Sequence, residues 1–197
     1  MVHFVYLAWT VPKWVENKSN FNDRRKTFEE KFSTYITKNN ITLSEVRFLD
    51  PNTWWIEIFP LEARFGRDVH MIYLSDAIIV EAQEKLWIWT AQEMLIAKYY
   101  RKPTIVIAPE NSHHNKFITT PSNNHFHFIH PFLLNSADVI VPDQEAAIEV
   151  LTNHLSGNKS IVAKNIDMIE TTREEFEEKY LDKDEYFLEK LSKENDI

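Results

Sequence analysis

Cysteine is absent from this 197-residue chain, and glycine occurs only twice, at Gly66 and Gly157. The first absence excludes disulfides, thiolate catalysis and thiolate metal sites, and it fits a cytoplasmic protein. The second excludes phosphate loops of the Rossmann and Walker types, which need several glycines for close backbone approach. Long apolar runs are missing too. Nothing approaches the ~20 residues that span a bilayer, so no membrane partner is expected. Met1-Val2-His3-Phe4 also lacks the charged start and long apolar stretch of a signal peptide. Basic residues are the minority: the net charge is -8, and acids outnumber bases by six between residues 169 and 197. That balance disfavours a nucleic-acid polymer as partner, since such binding relies on dense Lys and Arg. A small anion in a local basic pocket stays open.

What the chain does have is apolar and aromatic mass, 44% and 13% of residues, enough for a sizeable core in one domain. Val2 to Ala8 is short, apolar and bounded by polar residues, a buried first strand. Pro12 to Asn22 reads as a loop. Asp23 suits a helix N-cap, and Phe28, Phe32, Tyr35 and Ile36 then follow on one helical face. Ile41 to Leu49 reads as a second strand, and the aromatic segment 53–61 as a pocket wall or subunit contact. A helix is expected over 61–74, a strand over 77–80, a helix over 90–100 and a strand over 104–108. Residues 109–128 read as loop, His130-Pro131 as the start of a short helix, and 139–141 as a last strand before the helix 144–155. Ile161-Val162-Ala163 reads as an edge strand or docking segment, and 171–194 as charged helices. Strands alternating with helices predict a parallel sheet covered on both faces. The expected division is an α/β domain over 1–157 and a charged helical extension over 158–197.

One stretch combines this alternation with chemistry. Asp68 is read as opening the helix that feeds the strand at 77–80, and Glu93 falls in the first turns of the helix that follows that strand. The carboxyl edge of an open α/β sheet is where ligands bind, and two carboxylates at one edge are the minimum kit for breaking a glycosidic bond. Val5-Tyr6-Leu7-Ala8, Arg67-Asp68, Ser75-Asp76-Ala77-Ile78-Ile79-Val80, Thr90-Ala91-Gln92-Glu93, Ala97 and Lys102-Pro103-Thr104-Ile105-Val106 together resemble the nucleoside 2-deoxyribosyltransferase superfamily, which includes the deoxynucleoside 5'-monophosphate N-glycosidases. The resemblance covers roughly residues 3 to 152. It implies a flavodoxin-like sheet of order 2-1-3-4-5 and cleavage or transfer at the N-glycosidic bond of a deoxynucleoside or its monophosphate. It further implies Glu93 as nucleophile, Asp68 touching the sugar or assisting proton transfer, and Tyr6 orienting Glu93. The implied partners are a small nucleoside or nucleotide and further copies of the same chain, with no metal or organic cofactor required.

The chain departs from that family at small residues. Trp9-Thr10 stands where members carry Gly-Pro or Gly-Ser, Trp89 where a glycine precedes Thr90, and Trp87 where transferases often place an aspartate. These tryptophans either stack a base, as aromatic platforms do, or form apolar wall. Arg24 and Arg25 follow the first strand by a loop and are candidates for a 5'-phosphate, or else solvated helix charges. Tyr6 as plain core, Asp68 as a charge favourable to a helix N-terminus and Glu93 as a solvated helix residue are the plainer alternatives. Asp76 reads as a cap or turn residue. His113, His114, His125, His127 and His130 invite a metal, yet no cysteine or nearby carboxylate completes a set, so loop or interface histidines are expected. A nucleotide-binding or sensing relative without turnover, and an assembly protein on the same scaffold, are the rival functions.

Overall fold

The computed structural model describes residues 2–9, 23–51, 60–84, 88–120 and 123–192. Its centre is a parallel sheet of five strands. β1 (Val2–Ala8), β2 (Glu45–Leu49), β3 (Ala77–Glu81) and β4 (Thr104–Ile107) are joined by β7 (Val139–Val141) in the order β2-β1-β3-β4-β7. Tyr6 lies opposite Leu49 on one side and Ile78 on the other, which aligns the carboxyl ends of the first three strands. The fifth strand of the sheet is seventh in the chain because an antiparallel hairpin, β5 (Asn115–Thr119) and β6 (His125–Ile129), intervenes. This corrects the loop expected over 109–128. Alternating Phe117, Phe126 and Phe128 carry the strand signal, masked in the sequence by the Asn, Ser and His around them.

The strands are apolar at successive positions because both faces are covered. Val5, Leu7, Ile79, Ile105 and Ile107 face α1 (Asp23–Lys38) and α5 (Gln144–Leu155). Tyr6, Ala8, Ile78, Val80 and Val106 face α2 (Leu61–Leu74), α3 (Ile88–Tyr99) and α4 (Pro131–Ser136). Full burial of such side chains contributes about 1.5–3 kcal/mol each. Aromatic edges set α1 on the sheet: the Phe28 ring lies 5.8 Å from Trp9 and 5.9 Å from Phe48, and Phe32 lies 5.3 Å from Phe48. Pro131 occupies the first turn of α4, where its missing N–H is no loss. Asp143 caps α5, its side chain accepting from the Ala146 amide at 2.8 Å.

Two aspartates fasten the amino ends of the strands. Asp76 accepts from the Phe4 amide at 3.0 Å and returns its own amide to the Phe4 carbonyl at 2.7 Å. Asp138 accepts from the Thr104 amide at 2.7 Å, from the Lys164 amide at 2.8 Å and from the Lys98 ammonium. Lys98 and Asp138 are both fully buried. Each aspartate immediately precedes a strand and bonds the neighbouring one, so Asp76 is a strand fastener rather than a helix cap.

Asp68 lies in the second half of α2, not at its opening. The helix begins at Leu61, as the span expected over 61–74 has it, which leaves Asp68 inside the helix. No strand forms at 161–163, where Ile161 packs on the core beside α5. The chain divides into two compact units, Met1–Lys164 and Asn165–Ile197. The second contains α6 (Met168–Lys179), a short 3-10 turn (Leu181–Lys183) and α7 (Glu185–Ser192), with salt bridges along α6 from Arg173 to Glu170 and Glu177. All of the loop read over 12–22 and most of the aromatic segment 53–61 lie outside the described residues. No helix among the described residues is long and apolar enough to cross a membrane.

Candidate active site

Helix α3 buries Thr90, Glu93, Met94 and Ala97, a spacing of three, one and three that forms a single stripe facing the sheet. Glu93 is therefore a carboxylate on an apolar face. Its partner arrives from β1: the Tyr6 hydroxyl donates to Glu93 Oε1 at 2.7 Å, across 87 positions of chain. Tyr6 is fully buried and Glu93 only 9% exposed. Burial pushes the Glu93 carboxyl up to about 7, and the charge of Asp68 adds to the rise. The Tyr6 hydrogen bond and the charge of Arg25 oppose it. Burial and the neighbouring Glu93 push the Tyr6 phenol far above its ordinary value, so it stays a proton donor. The sequence-read pair is thus in direct contact, and Asp68 is near enough for its charge to act on both members.

Asp68 is about one-third exposed and accepts from Arg67 Nη1 at 3.0 Å. The same nitrogen donates to the Pro51 carbonyl at 3.1 Å, tying α2 to the chain just beyond β2. Burial raises the Asp68 carboxyl above its ordinary value, with Arg67 pulling the other way. Asp68 and Glu93 are thus two carboxyls in unlike surroundings, both raised by burial, with Glu93 the more deeply buried.

The two arginines differ because α1 presents them to different sides. Arg25, Phe28 and Phe32 fall at i, i+3 and i+7, so Arg25 shares the buried stripe and Arg24 does not. Arg25 donates from Nη2 to the Trp9 carbonyl at 3.0 Å and from Nη1 to Asp50. Its charge is felt by Tyr6, Glu93 and Glu81. Arg24 reaches across to Glu81 at 3.1 Å and Glu84 at 3.3 Å. Glu81 is buried at the end of β3, and that burial raises its carboxyl despite Arg24. Asp50 and Glu81 were not foreseen as part of this edge. The signal for both is position, since each carboxylate closes a parallel strand next to β1.

The tryptophans separate as well. Trp9 is buried in the core on the α1 side, the face opposite Tyr6 and Glu93, because side chains alternate along the strand. Trp89 is 37% exposed beside the buried Thr90. Thr10 and Trp87 lie outside the described residues. Trp9 Nε1, Thr90 Oγ1 and Arg25 Nε are among the buried polar atoms that have no hydrogen-bond partner among the described residues. They sit on the elements that carry or flank Tyr6 and Glu93.

The histidines gather elsewhere, at the hairpin. His127 pairs with Asn115 and stacks on Phe117 at 5.0 Å, His125 bonds Thr119 at 2.9 Å, and His114 lies edge-on to His130 at 5.5 Å. Burial and the neighbouring His113 and His130 lower His114 to about 4. Among the described residues, no three His, Asp or Glu side chains form a group able to hold a metal ion. Compared with known proteins, the chain matches no family model, and no curated protein matches it.

Proposed function

We propose that the chain cleaves or transfers at the N-glycosidic bond of a deoxynucleoside or its 5'-monophosphate, on a flavodoxin-like sheet, with Glu93 as nucleophile. The observation that carries this reading is the buried 2.7 Å bond from Tyr6 to Glu93 at the carboxyl edge of the sheet, with Asp68 close enough to act on it electrostatically. In the first step a Glu93 oxygen bonds to the anomeric carbon as the bond to the base breaks. The base leaves with the bonding electron pair and takes a proton from the Asp68 carboxyl. Water or a second base then attacks the anomeric carbon and frees Glu93, with Asp68 accepting the incoming proton. Tyr6 keeps the nucleophile aimed and supports its ionised form.

Arg24 and Arg25 are already engaged by Glu81, Glu84 and Asp50. A free nucleoside is therefore the better substrate at this edge than its monophosphate. The test is incubation with matched deoxynucleosides and 5'-monophosphates, chromatography for released base, and repetition with Glu93→Ala. Release by the parent and none by Glu93→Ala supports the reading, and equal release by both refutes the nucleophile. A second reading, binding or sensing without turnover, is favoured by Trp89, which is 37% exposed beside Thr90 where the resemblance implies a glycine. It predicts saturable nucleoside binding with no base released.

A further inference from the structure

The guanidinium of Arg25 sits between two parts of the edge that have no covalent reason to move together. One arm holds the carbonyl of Trp9, the residue just past β1, and so fixes the end of the strand that carries Tyr6. Another arm is taken by Asp50, just past β2. Asp50 is 29% exposed while Arg25 is buried, so the aspartate is the solvent-side member of the pair. Nε is buried and has no acceptor among the described residues. A phosphate anchor offers a free two-pronged face, and here that face is taken up by the protein's own oxygens.

We propose that Arg25 is a positioning residue for Glu93, not a ligand anchor, and that Asp50 sets how strongly its charge acts there. The inference rests on the reading of Glu93 as the reactive carboxylate. Arg25 holds the Trp9 carbonyl three residues beyond Tyr6, whose hydroxyl bonds Glu93, and the charges of Arg25 and Asp68 act on Glu93 electrostatically. Arg25 in turn is faced by Tyr6, Glu93, Asp50 and Glu81. Three carboxylates and a phenol thus act on one cation, and among the described residues that cation is the charge that favours the ionised form of Glu93. Asp50 is the anion paired with that cation, so neutralising it removes the negative charge that offsets Arg25 toward Glu93. The two substitutions must then move the titration of Glu93 in opposite directions. A role confined to holding the Trp9 carbonyl yields no such opposition.

The experiment uses the full chain labelled with glutamate carrying carbon-13 at the side-chain carboxyl, and it needs no substrate. The Glu93 resonance is assigned by its loss in Glu93→Gln, and its titration is followed by NMR. Arg25→Gln should move the midpoint up by about half a pH unit or more, roughly threefold in the acid constant. Arg25→Lys should recover most of that shift. Asp50→Asn should move the midpoint down. Shifts in the same direction, or none, overturn the proposal. Should Arg25→Gln not fold, Asp50→Asn decides alone: a downward shift supports the proposal, and an unchanged or upward midpoint overturns it. Opposed shifts without any base release would refute only the catalytic reading. Base release that depends on Glu93, with unmoved midpoints, would refute only the role of Arg25.

Discussion

Replacing Tyr6 by Phe removes one oxygen from a fully buried side chain. The ring volume stays, so packing against the α3 side of the sheet is largely kept. What is lost is a hydrogen bond to a charged acceptor, worth about 1.5–3 kcal/mol where the acceptor remains buried. At 1.36 kcal/mol per pH unit, that corresponds to a rise of ~1–2 units in the carboxyl of Glu93. From about 7 in the parent, the group would move to roughly 8–9. At neutral pH the ionised share then falls from about half to about a tenth or less, and a nucleophile that must be ionised slows ~5–50-fold. The assay is the pH–rate profile of base release for parent and Tyr6→Phe. The acid limb should move upward by the same ~1–2 units. An unmoved limb, or a loss equal at every pH, would show that the phenol does not govern the protonation of Glu93.

Glu93 should also reduce stability. Its folded value of about 7 lies above the ordinary 4.5, so between those values the folded chain binds more protons and stability falls as pH rises. Relative to the parent, Glu93→Gln should gain ~3 kcal/mol between about pH 4 and pH 8, read from urea midpoints across that range. Asp138→Ala leaves the buried Lys98 ammonium unpaired and should lose about 3–5 kcal/mol of stability by the same measurement. Gly66 stands inside α2 with no atom within 4 Å of where a Cβ would lie. Gly66→Ala should therefore raise the unfolding free energy by ~0.5–1 kcal/mol, and a loss would refute the open space.

The parallel sheet was legible because buried strands are apolar at every position, and 77–80 and 104–107 are short β-branched runs between helical patterns. The hairpin was not legible, since its phenylalanines alternate with residues that usually mark loops, and a two-stranded unit offers no wide apolar face. Glu93 and Tyr6 could be brought together only through the resemblance, as 87 positions separate them. The physical sign of Glu93 was nonetheless present: a charge on the apolar stripe of a helix. Arg25 on α1 carries the same sign and was read with Arg24 as one basic pair. Periodicity separates them, because only Arg25 is in phase with Phe28 and Phe32. Lys98 shows why the sign alone is insufficient. It lies on the same helix as Glu93, equally in phase, and its buried partner Asp138 gives it a structural role.

Asp76 and Asp138 carry a further consequence for how this architecture tolerates change. Each short acid locks alignment between neighbouring strands through main-chain amides, which every amino acid except proline supplies. Alignment is thus secured at the rim farthest from Glu93, by groups indifferent to the identity of their neighbours. The opposite rim can carry bulky tryptophan and paired acids and bases while the scaffold beneath keeps its order. Such a division of labour lets new chemistry be sampled on an old frame.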